Sequence, residues 1–256
     1  MKILITGGTG KIGQEICKNL AKNGHDPVCF SRKKRGSFPV ITGDIRVKKD
    51  IKKAIKNFDC IIHAAAIKKD KNKRDIISTN IEGTINLINF CKKNTKIKII
   101  STTEACNTTE CYGASKFIIE ELSKEYDNIS FLRLPSVWGT EVDLTTNWLN
   151  SARITGKIKL FKFNGLAKKK FFITLKDAGV ICSNLSNFKK EIYNEIKVID
   201  CEILANCIKQ ITKCHIEEIE KQGSPFEYFS SNICSSSIES ISIEETKKIL
   251  SGIYKI

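Results

Sequence analysis

Short apolar runs alternate with stretches of helical spacing through the first half of the chain. "KILIT" predicts a first strand, and from Lys11 to Asn23 the apolar positions recur every three to four residues, as on a helix with one buried face. "PVCF" and "FPVIT" predict the second and third strands, Asp50 to Asn57 a short helix, and "DCIIHAA" a fourth strand. A long helix from Ile76 to Lys93, a fifth strand "IKIIS", a helix from Tyr112 to Tyr126 and a sixth strand "ISFLRLP" complete the series. These strands are continuously apolar, as in a parallel sheet covered on both faces, so the pattern predicts an α/β fold with a doubly wound parallel sheet. Ligands of such sheets bind beyond the C-terminal strand ends, which places Ser101 to Thr103 at the ligand edge.

After Pro135 the regularity fades. Helical spacing returns at Thr145 to Gly156, Lys176 to Phe188, Cys201 to Thr212 and Ile243 to Leu250, and "FFIT" and "EIKVI" are extended. The expected organisation is a sheet domain over residues 1–140 and a small C-terminal substrate-binding lobe over 141–256, partly interleaved with the main sheet. There is no internal repeat, and the serine-rich "SSNICSSSIESIS" is the one low-complexity stretch.

Charge changes this picture little. The 256 residues carry a net charge of +15, yet the lysines are scattered over almost every helical segment, as on a solvated surface rather than a nucleic-acid face. An anionic small ligand would benefit from the same field. No apolar window is long enough to span a membrane, and the start of the chain has the pattern of a buried strand rather than a signal peptide. The 11 cysteines are dispersed, form no C-x-x-C pair and mostly sit in apolar runs, which predicts buried thiols in a reducing cytoplasm and no metal site.

"ITGGTGKIG" joins the first strand to the first helix, with Gly7, Gly10 and Gly13 spaced G-x-x-G-x-x-G. That spacing at a strand–helix junction is a Rossmann-type dinucleotide loop: a tight turn, a backbone open to a pyrophosphate, and close helix–strand packing. The loop residues Thr9, Lys11 and Ile12 complete the cradle, where free amides at the helix start favour an anion. An acidic residue normally ends the second strand of NAD sites, but here Ser31 stands there, followed by Arg32 and Lys33. A hydroxyl and a guanidinium suit a 2′-phosphate, so NADP(H) is expected over NAD(H). Asp44, followed by Ile45, is placed to accept from the adenine amino group, and Ala64, Ala65 and Ala66 follow the fourth strand on the cofactor side.

"YGASK" opens a helix, so Tyr112 and Lys116 share one face. A phenol is a poor base at neutral pH, and an ammonium one turn away, together with the positive charge of the oxidised nicotinamide, favours its ionised form, so the two are expected to lower the Tyr112 pKa. Tyr112 then exchanges a proton with an alcohol or sugar oxygen while Lys116 also donates to the nicotinamide ribose. Ser101 and Thr102 supply a hydroxyl to orient the substrate oxygen. Glycine loop, strand-end hydroxyls and Tyr-x-x-x-Lys together look like an extended short-chain dehydrogenase/reductase, the superfamily of nucleotide-sugar epimerases and dehydratases.

Within it the chain resembles the inverting UDP-N-acetylglucosamine 4,6-dehydratases of bacterial surface-glycan synthesis. "HAAAIKKD", "TNIEGTINLINFC" and the late "FFITLKDAGV" carry the likeness, with Phe30-Ser31-Arg32 matching a serine–arginine pair that binds NADP there. The family's "TDKA" stands here as Thr102-Thr103-Glu104-Ala105: the threonine is kept, the acid has become Thr103 and the lysine Glu104. Elimination of water needs both an acid and a base, and Thr103 cannot serve as a carboxylic acid, although Glu104 has the chemistry of a base. Shortened "KKD" and C-terminal segments, Ser136 where the family has asparagine, and the faint "KQGSPFEYF" depart in the same direction.

The resemblance therefore implies redox at carbon 4 of a nucleotide-linked hexose, by a keto-sugar reductase or an epimerase, with a 4,6-dehydratase and a non-catalytic NADP-binding sensor as alternatives. It assigns Asn80 to organising the catalytic lysine, against a plain helix kink, and Lys68 and Ser136 to the substrate. A homodimer through the central helices is implied by analogy. His63 is expected to be a packed structural histidine, Arg133 is open between structure and function, and Lys168 to Lys170 lie where a diphosphate could be neutralised.

Overall fold

The first strand, β1 (Lys2–Thr6), is buried from Ile3 onward, as its unbroken apolar run requires. The computed structural model describes residues 1–68, 72–106, 109–140, 143–185, 191–192, 197–222 and 239–254. In chain order the next elements are α1 (Lys11–Lys22), β2 (Asp26–Ser31), β3 (Val40–Thr42), α2 (Lys48–Ala54) and β4 (Cys60–His63). A long helix follows in three pieces: α3 (Lys73–Ile77), a wide π-helical turn (Ser78–Glu82) and α4 (Gly83–Phe90). Then come β5 (Lys96–Thr102), a 3-10 turn (Thr103–Cys106), α5 (Cys111–Ser123) and β6 (Ile129–Leu134).

The rest of the chain forms β7 (Ser136–Trp138), α6 (Leu144–Thr155), β8 (Lys157–Phe163), β9 (Leu166–Ala167), β10 (Lys169–Thr174) and α7 (Leu175–Ser183). It closes with β11 (Glu191–Ile192), β12 (Lys197–Asp200), α8 (Cys201–Thr212), β13 (His215–Glu220), β14 (Glu239–Ser240) and α9 (Ile243–Tyr254). The expected helix from Lys176 is α7, whose far end at Phe188 lies outside the described residues. The same holds for most of "SSNICSSSIESIS" and "KQGSPFEYF".

The fold is a Rossmann-like α/β fold. Its main sheet has strand order β11-β6-β5-β4-β1-β2-β3, and every pairing in it is parallel. From β1 the chain runs outward to β2 and β3, then crosses to β4 and continues the other way. The switch point between β1 and β4 opens a crevice at the C-terminal strand ends, the place where such sheets bind ligands. Helices cover both faces because each has one apolar stripe to bury: α1 turns Ile16, Cys17 and Leu20 inward, and α5 turns in Ile119. Leu4, Phe30, Ile61, Leu87, Ile97 and Ile119 belong to one buried cluster in this unit.

Two compact units divide the chain: Met1–Leu134 with Leu175–Tyr193, and Pro135–Thr174 with Asn194–Ile256. Helix α7 returns to the first unit and lies along α1, with Gly179 against Glu15. In the second unit β7 and β12 flank β10, and Trp138 stacks on Phe172 with ring centroids 3.8 Å apart. A separate sheet of β13, β8 and β9 completes it, with Leu160, Leu204 and Ile208 in its core. Neither β8 nor β13 is among the elements anticipated above. Strand β13, "HIEEIE", has too few apolar positions to signal a strand, and it is held by its register against β8, where Glu217 faces Lys159 and Glu220 faces Lys162.

Candidate active site

Strand β1 ends at Thr6, and the chain turns sharply through Gly7, whose φ of +69° is a left-handed conformation that suits glycine. A Cβ there would also stand 2.8 Å from the backbone of Ala65, so the loop after β4 approaches only because Gly7 has none. Gly13 plays the packing role: a Cβ on it would meet the Gly7 carbonyl oxygen at 2.4 Å. Helix α1 starts after Gly10 with no acidic residue in its first turn and no side chain capping it, so its first amides keep their capacity for an anion.

A cavity of about 210 Å³ opens over this turn. Of the residues expected to hold a dinucleotide, Gly7, Gly10, Ser31, Arg32, Asp44, Ile45, Ala64, Ala65 and Ala66 line it. Thr9 reaches it through a 2.7 Å hydrogen bond to the Ser31 hydroxyl. Lys11, Ile12 and Gly13 form the first turn of α1 without lining the cavity, and Lys33 lies exposed in the loop after β2. Asp44 lines the cavity but is already engaged: its Oδ1 accepts from the Arg46 backbone amide at 2.9 Å and its Oδ2 from the guanidinium at 2.6 Å. That guanidinium holds the Asp44 carboxyl below the usual carboxylate range. Much of the acceptor capacity expected to face an adenine amino group is thus spent within the chain.

Thr79 was not anticipated. Its Oγ1 is buried without a hydrogen-bond partner, and the residue lines the same cavity. A hydroxyl left unsatisfied at such a place is costly unless a ligand completes it. The one signal in the sequence was its position beside Asn80, in the wide turn of the long helix.

The loop after β4 is fixed by a buried polar chain. His63 Nδ1 lies 2.6 Å from the Thr6 hydroxyl and Nε2 lies 2.8 Å from the Thr84 hydroxyl. Thr84 spends its own hydrogen on the Asn80 carbonyl at 2.6 Å, so the imidazole must donate through Nε2 and accept at Nδ1. Burial and the nearby Lys116 charge push its pKa down to about 3, so His63 is neutral and structural. Thr6 Oγ1 in turn accepts from the Ala65 amide at 3.3 Å. The Asn80 side chain accepts from the Ile67 amide at 2.8 Å and donates to the Ile67 carbonyl and to the Ser115 hydroxyl, both at 3.0 Å. Its side chain therefore ties the cofactor-side loop to α5 at Ser115, the residue before Lys116.

Helix α5 carries Tyr112 and Lys116 one turn apart. Lys116 is 5% exposed and donates to the Ile100 carbonyl on β5 at 2.8 Å. Burial lowers its pKa to about 8, with the Glu120 carboxylate opposing the fall. Within the chain itself, burial and, next, the Glu104 carboxylate push the Tyr112 phenol pKa up. The phenol is therefore un-ionised at neutral pH. Thr102 closes β5 and accepts from the Glu104 amide at 3.2 Å, which leaves its own hydrogen to give. Ser101, expected beside it, instead turns inward and donates to Glu120.

Thr103 and Glu104 open the 3-10 turn after β5. Glu104 pairs with Lys68 at 2.6 Å, and the Lys68 ammonium stands 5.8 Å from the centre of the Tyr112 ring. The structure thus brings together Lys68, Thr102, Glu104, Tyr112 and Lys116. Ser136, on β7, and Lys168 to Lys170, at β10, belong to the second unit. No group of three or more metal-ligating side chains occurs among the described residues, and none of their helices is long and apolar enough to cross a membrane.

Residues 3–165 match the sequence family described as "NAD dependent epimerase/dehydratase family". The UDP-N-acetylglucosamine 4,6-dehydratase (inverting) of Campylobacter jejuni is 35% identical over 148 residues, 50% of this chain and 44% of that protein. The chain spans less than half the length of the curated relatives it matches first. Among solved structures, the Bordetella bronchiseptica enzyme WbmH in complex with NAD+ superposes with a TM-score of 0.80 at 17% identity, covering 99% of this chain and 98% of that one. The UDP-N-acetylglucosamine 4-epimerase from Bacillus cereus gives 0.71 at 21% identity, over 98% and 99%. At these identities the structures share the fold.

Proposed function

Because the chain belongs to the NAD dependent epimerase/dehydratase family, we propose that it is an NADP(H)-dependent reductase acting at carbon 4 of a nucleotide-activated keto-hexose in cytoplasmic surface-glycan synthesis. The residues fit a dinucleotide: an uncapped helix start meets the glycine turn, and Thr79, whose hydroxyl is buried without a partner, lines the cavity. When bound, the dinucleotide supplies the hydride. Arg32 on the cavity wall, with Ser31 in place of a carboxylate, supports the phosphate-bearing form.

The observation that carries the reading is the placement of Tyr112 and Lys116 one turn apart on α5, with Lys116 fixed to the Ile100 carbonyl of β5, the strand that Thr102 closes. Reduction of a ketone needs a proton delivered to the carbonyl oxygen; the un-ionised phenol holds that proton, and a cation one turn away favours the phenolate that its release leaves behind. Thr102 donates its free hydrogen to the same oxygen and orients it. Lys116, charged at neutral pH and fixed to β5, stabilises the phenolate left behind until solvent returns the proton. Elimination is poorly served, because Thr103 lacks an acid and Glu104 is engaged by Lys68.

The dehydratase reading is supported by the 35% identity to an inverting dehydratase. Mass spectrometry separates the two. Given NADPH and a UDP-linked 4-keto-6-deoxy hexose, the chain should produce a sugar nucleotide heavier by two hydrogens. Loss of water from UDP-N-acetylglucosamine would instead establish the dehydratase. The proposal includes a homodimer through the central helices, supported by Ile77, Phe117, Ile118 and Leu122, which are exposed there; sedimentation at a single monomer mass would remove that part.

A further inference from the structure

The inward spacing of Tyr112 and Lys116 continues one turn further along α5, to Glu120. Glu120 is a carboxylate only 1% exposed, on the same face of the helix as the two catalytic groups. Its Oε1 accepts from the Ser101 hydroxyl at the end of β5, and both its oxygens accept from Arg133 Nε on β6 at 3.0 Å. Arg133 also reaches Cys106 Sγ, in the turn after β5, at 3.2 Å. One buried carboxylate therefore ties α5 to the two strands and the turn that frame the site. Well-packed apolar residues generally stabilise a fold as well as a buried ion pair does, so stability alone does not account for this one.

We propose that Glu120, one turn beyond Lys116 on the same face of α5 and locked by Arg133 and Ser101, is a positioning residue that keeps the Lys116 ammonium charged. The inference rests on the reading that Tyr112 and Lys116 carry the chemistry. Lys116 is buried, and burial alone drives an ammonium towards its neutral form. The groups placed to answer are few. On its own helix stand Tyr112, un-ionised, and Glu120; from β4 comes His63, neutral; from β6 comes Arg133, forked onto Glu120; and the turn after β5 brings Cys106 and Glu104, the latter paired with Lys68. Glu120 is the anion that opposes the desolvation of Lys116. The fork from Arg133 and the hydroxyl of Ser101 fix where that anion sits, so the field at Lys116 is set by geometry rather than by a mobile side chain.

The experiment reads the ionisation of Lys116 in the full chain by NMR of protein labelled with [15N]lysine, the Nζ signal being assigned by its loss in Lys116→Met. In the parent protein it should titrate at a midpoint of about 8. In Glu120→Gln the midpoint should fall by about one pH unit or more, the size expected for loss of a close opposite charge. Because Glu120→Gln leaves Arg133 buried and unpaired and could unfold, the paired variant Glu120→Gln/Arg133→Met is measured beside it, and a fall in the same direction but smaller is expected, since the Arg133 charge leaves as well. An unchanged midpoint in a folded variant, with only the melting temperature lowered, overturns the proposal. This readout needs no substrate, so a shifted midpoint in a chain that never reduces a sugar would sink the reductase reading while leaving the effect of Glu120 on the Lys116 charge standing.

Discussion

Lys68 and Glu104 meet at 2.6 Å across the mouth of the site, and the Lys68 ammonium lies 5.8 Å from the Tyr112 ring centre. Both partners are substantially exposed, so the pair adds at most ~1 kcal/mol to stability. Its effect is electrostatic: the Glu104 carboxylate is the charge that helps keep the Tyr112 phenol protonated. Glu104→Gln should therefore lower the pH at which Tyr112 ionises while leaving the melting temperature nearly unchanged. Ultraviolet titration of phenolate, taken as the difference from Tyr112→Phe, reads that pH. A titration identical to the parent protein would show that Glu104 does not act on the phenol.

Thr79 offers a test of the cavity that is independent of turnover. Its hydroxyl is buried and unpartnered in the free chain, so Thr79→Val removes an unsatisfied group and should leave stability equal or slightly higher. If that hydroxyl binds the dinucleotide, the same change should weaken binding by about 1 kcal/mol, or roughly fivefold. Calorimetric titration with NADPH measures it, and equal affinity in the two proteins would assign Thr79 to packing alone.

Arg32 tests the choice of dinucleotide. A guanidinium paired with a phosphate contributes about 1.5–3 kcal/mol, so Arg32→Ala should weaken NADPH binding at least roughly tenfold and leave NADH little changed. Equal losses for both cofactors would mean that Arg32 does not read the 2′-phosphate.

His63 predicts a pH dependence of stability. It is buried neutral with a pKa near 3 against an unfolded value of 6.5, so below pH 6.5 the unfolded chain binds the extra proton. The contribution is fully present above 6.5 and is lost as pH falls towards 3, at up to about 1.4 kcal/mol per unit. Denaturant unfolding at a series of pH values should show this slope in the parent chain and a shallower one in His63→Gln. Matching slopes would mean that some other group is responsible for the acid sensitivity.

Much of the first unit was legible in the sequence because buried parallel strands such as "IKIIS" are unbroken apolar runs and α1 repeats its apolar stripe. The glycine turn was legible for a related reason: its residues act through local backbone geometry. What stayed hidden depends on partners distant in sequence. Ser101 faces away from the substrate edge because Glu120 and Arg133 claim its hydroxyl. Asn80 serves the Ile67 loop because a π-helical turn aims it there. The surroundings of Tyr112 were hidden as well, since a Tyr-x-x-x-Lys spacing reveals the ammonium but neither the burial nor the Glu104 carboxylate that raise the phenol pKa within the chain. Strand β13 was hidden by its glutamates, which are accommodated by the lysines of β8.

The central claim is that the Tyr112 phenol delivers the proton to the carbon-4 oxygen. Its most direct test is the rate at which NADPH is consumed with a UDP-linked 4-keto-6-deoxy hexose by the parent chain and by Tyr112→Phe, with dinucleotide affinity measured alongside. Loss of a general acid should slow turnover by about 10²–10⁴-fold with affinity unchanged. A Tyr112→Phe protein that reduces the sugar as fast as its parent would contradict the account.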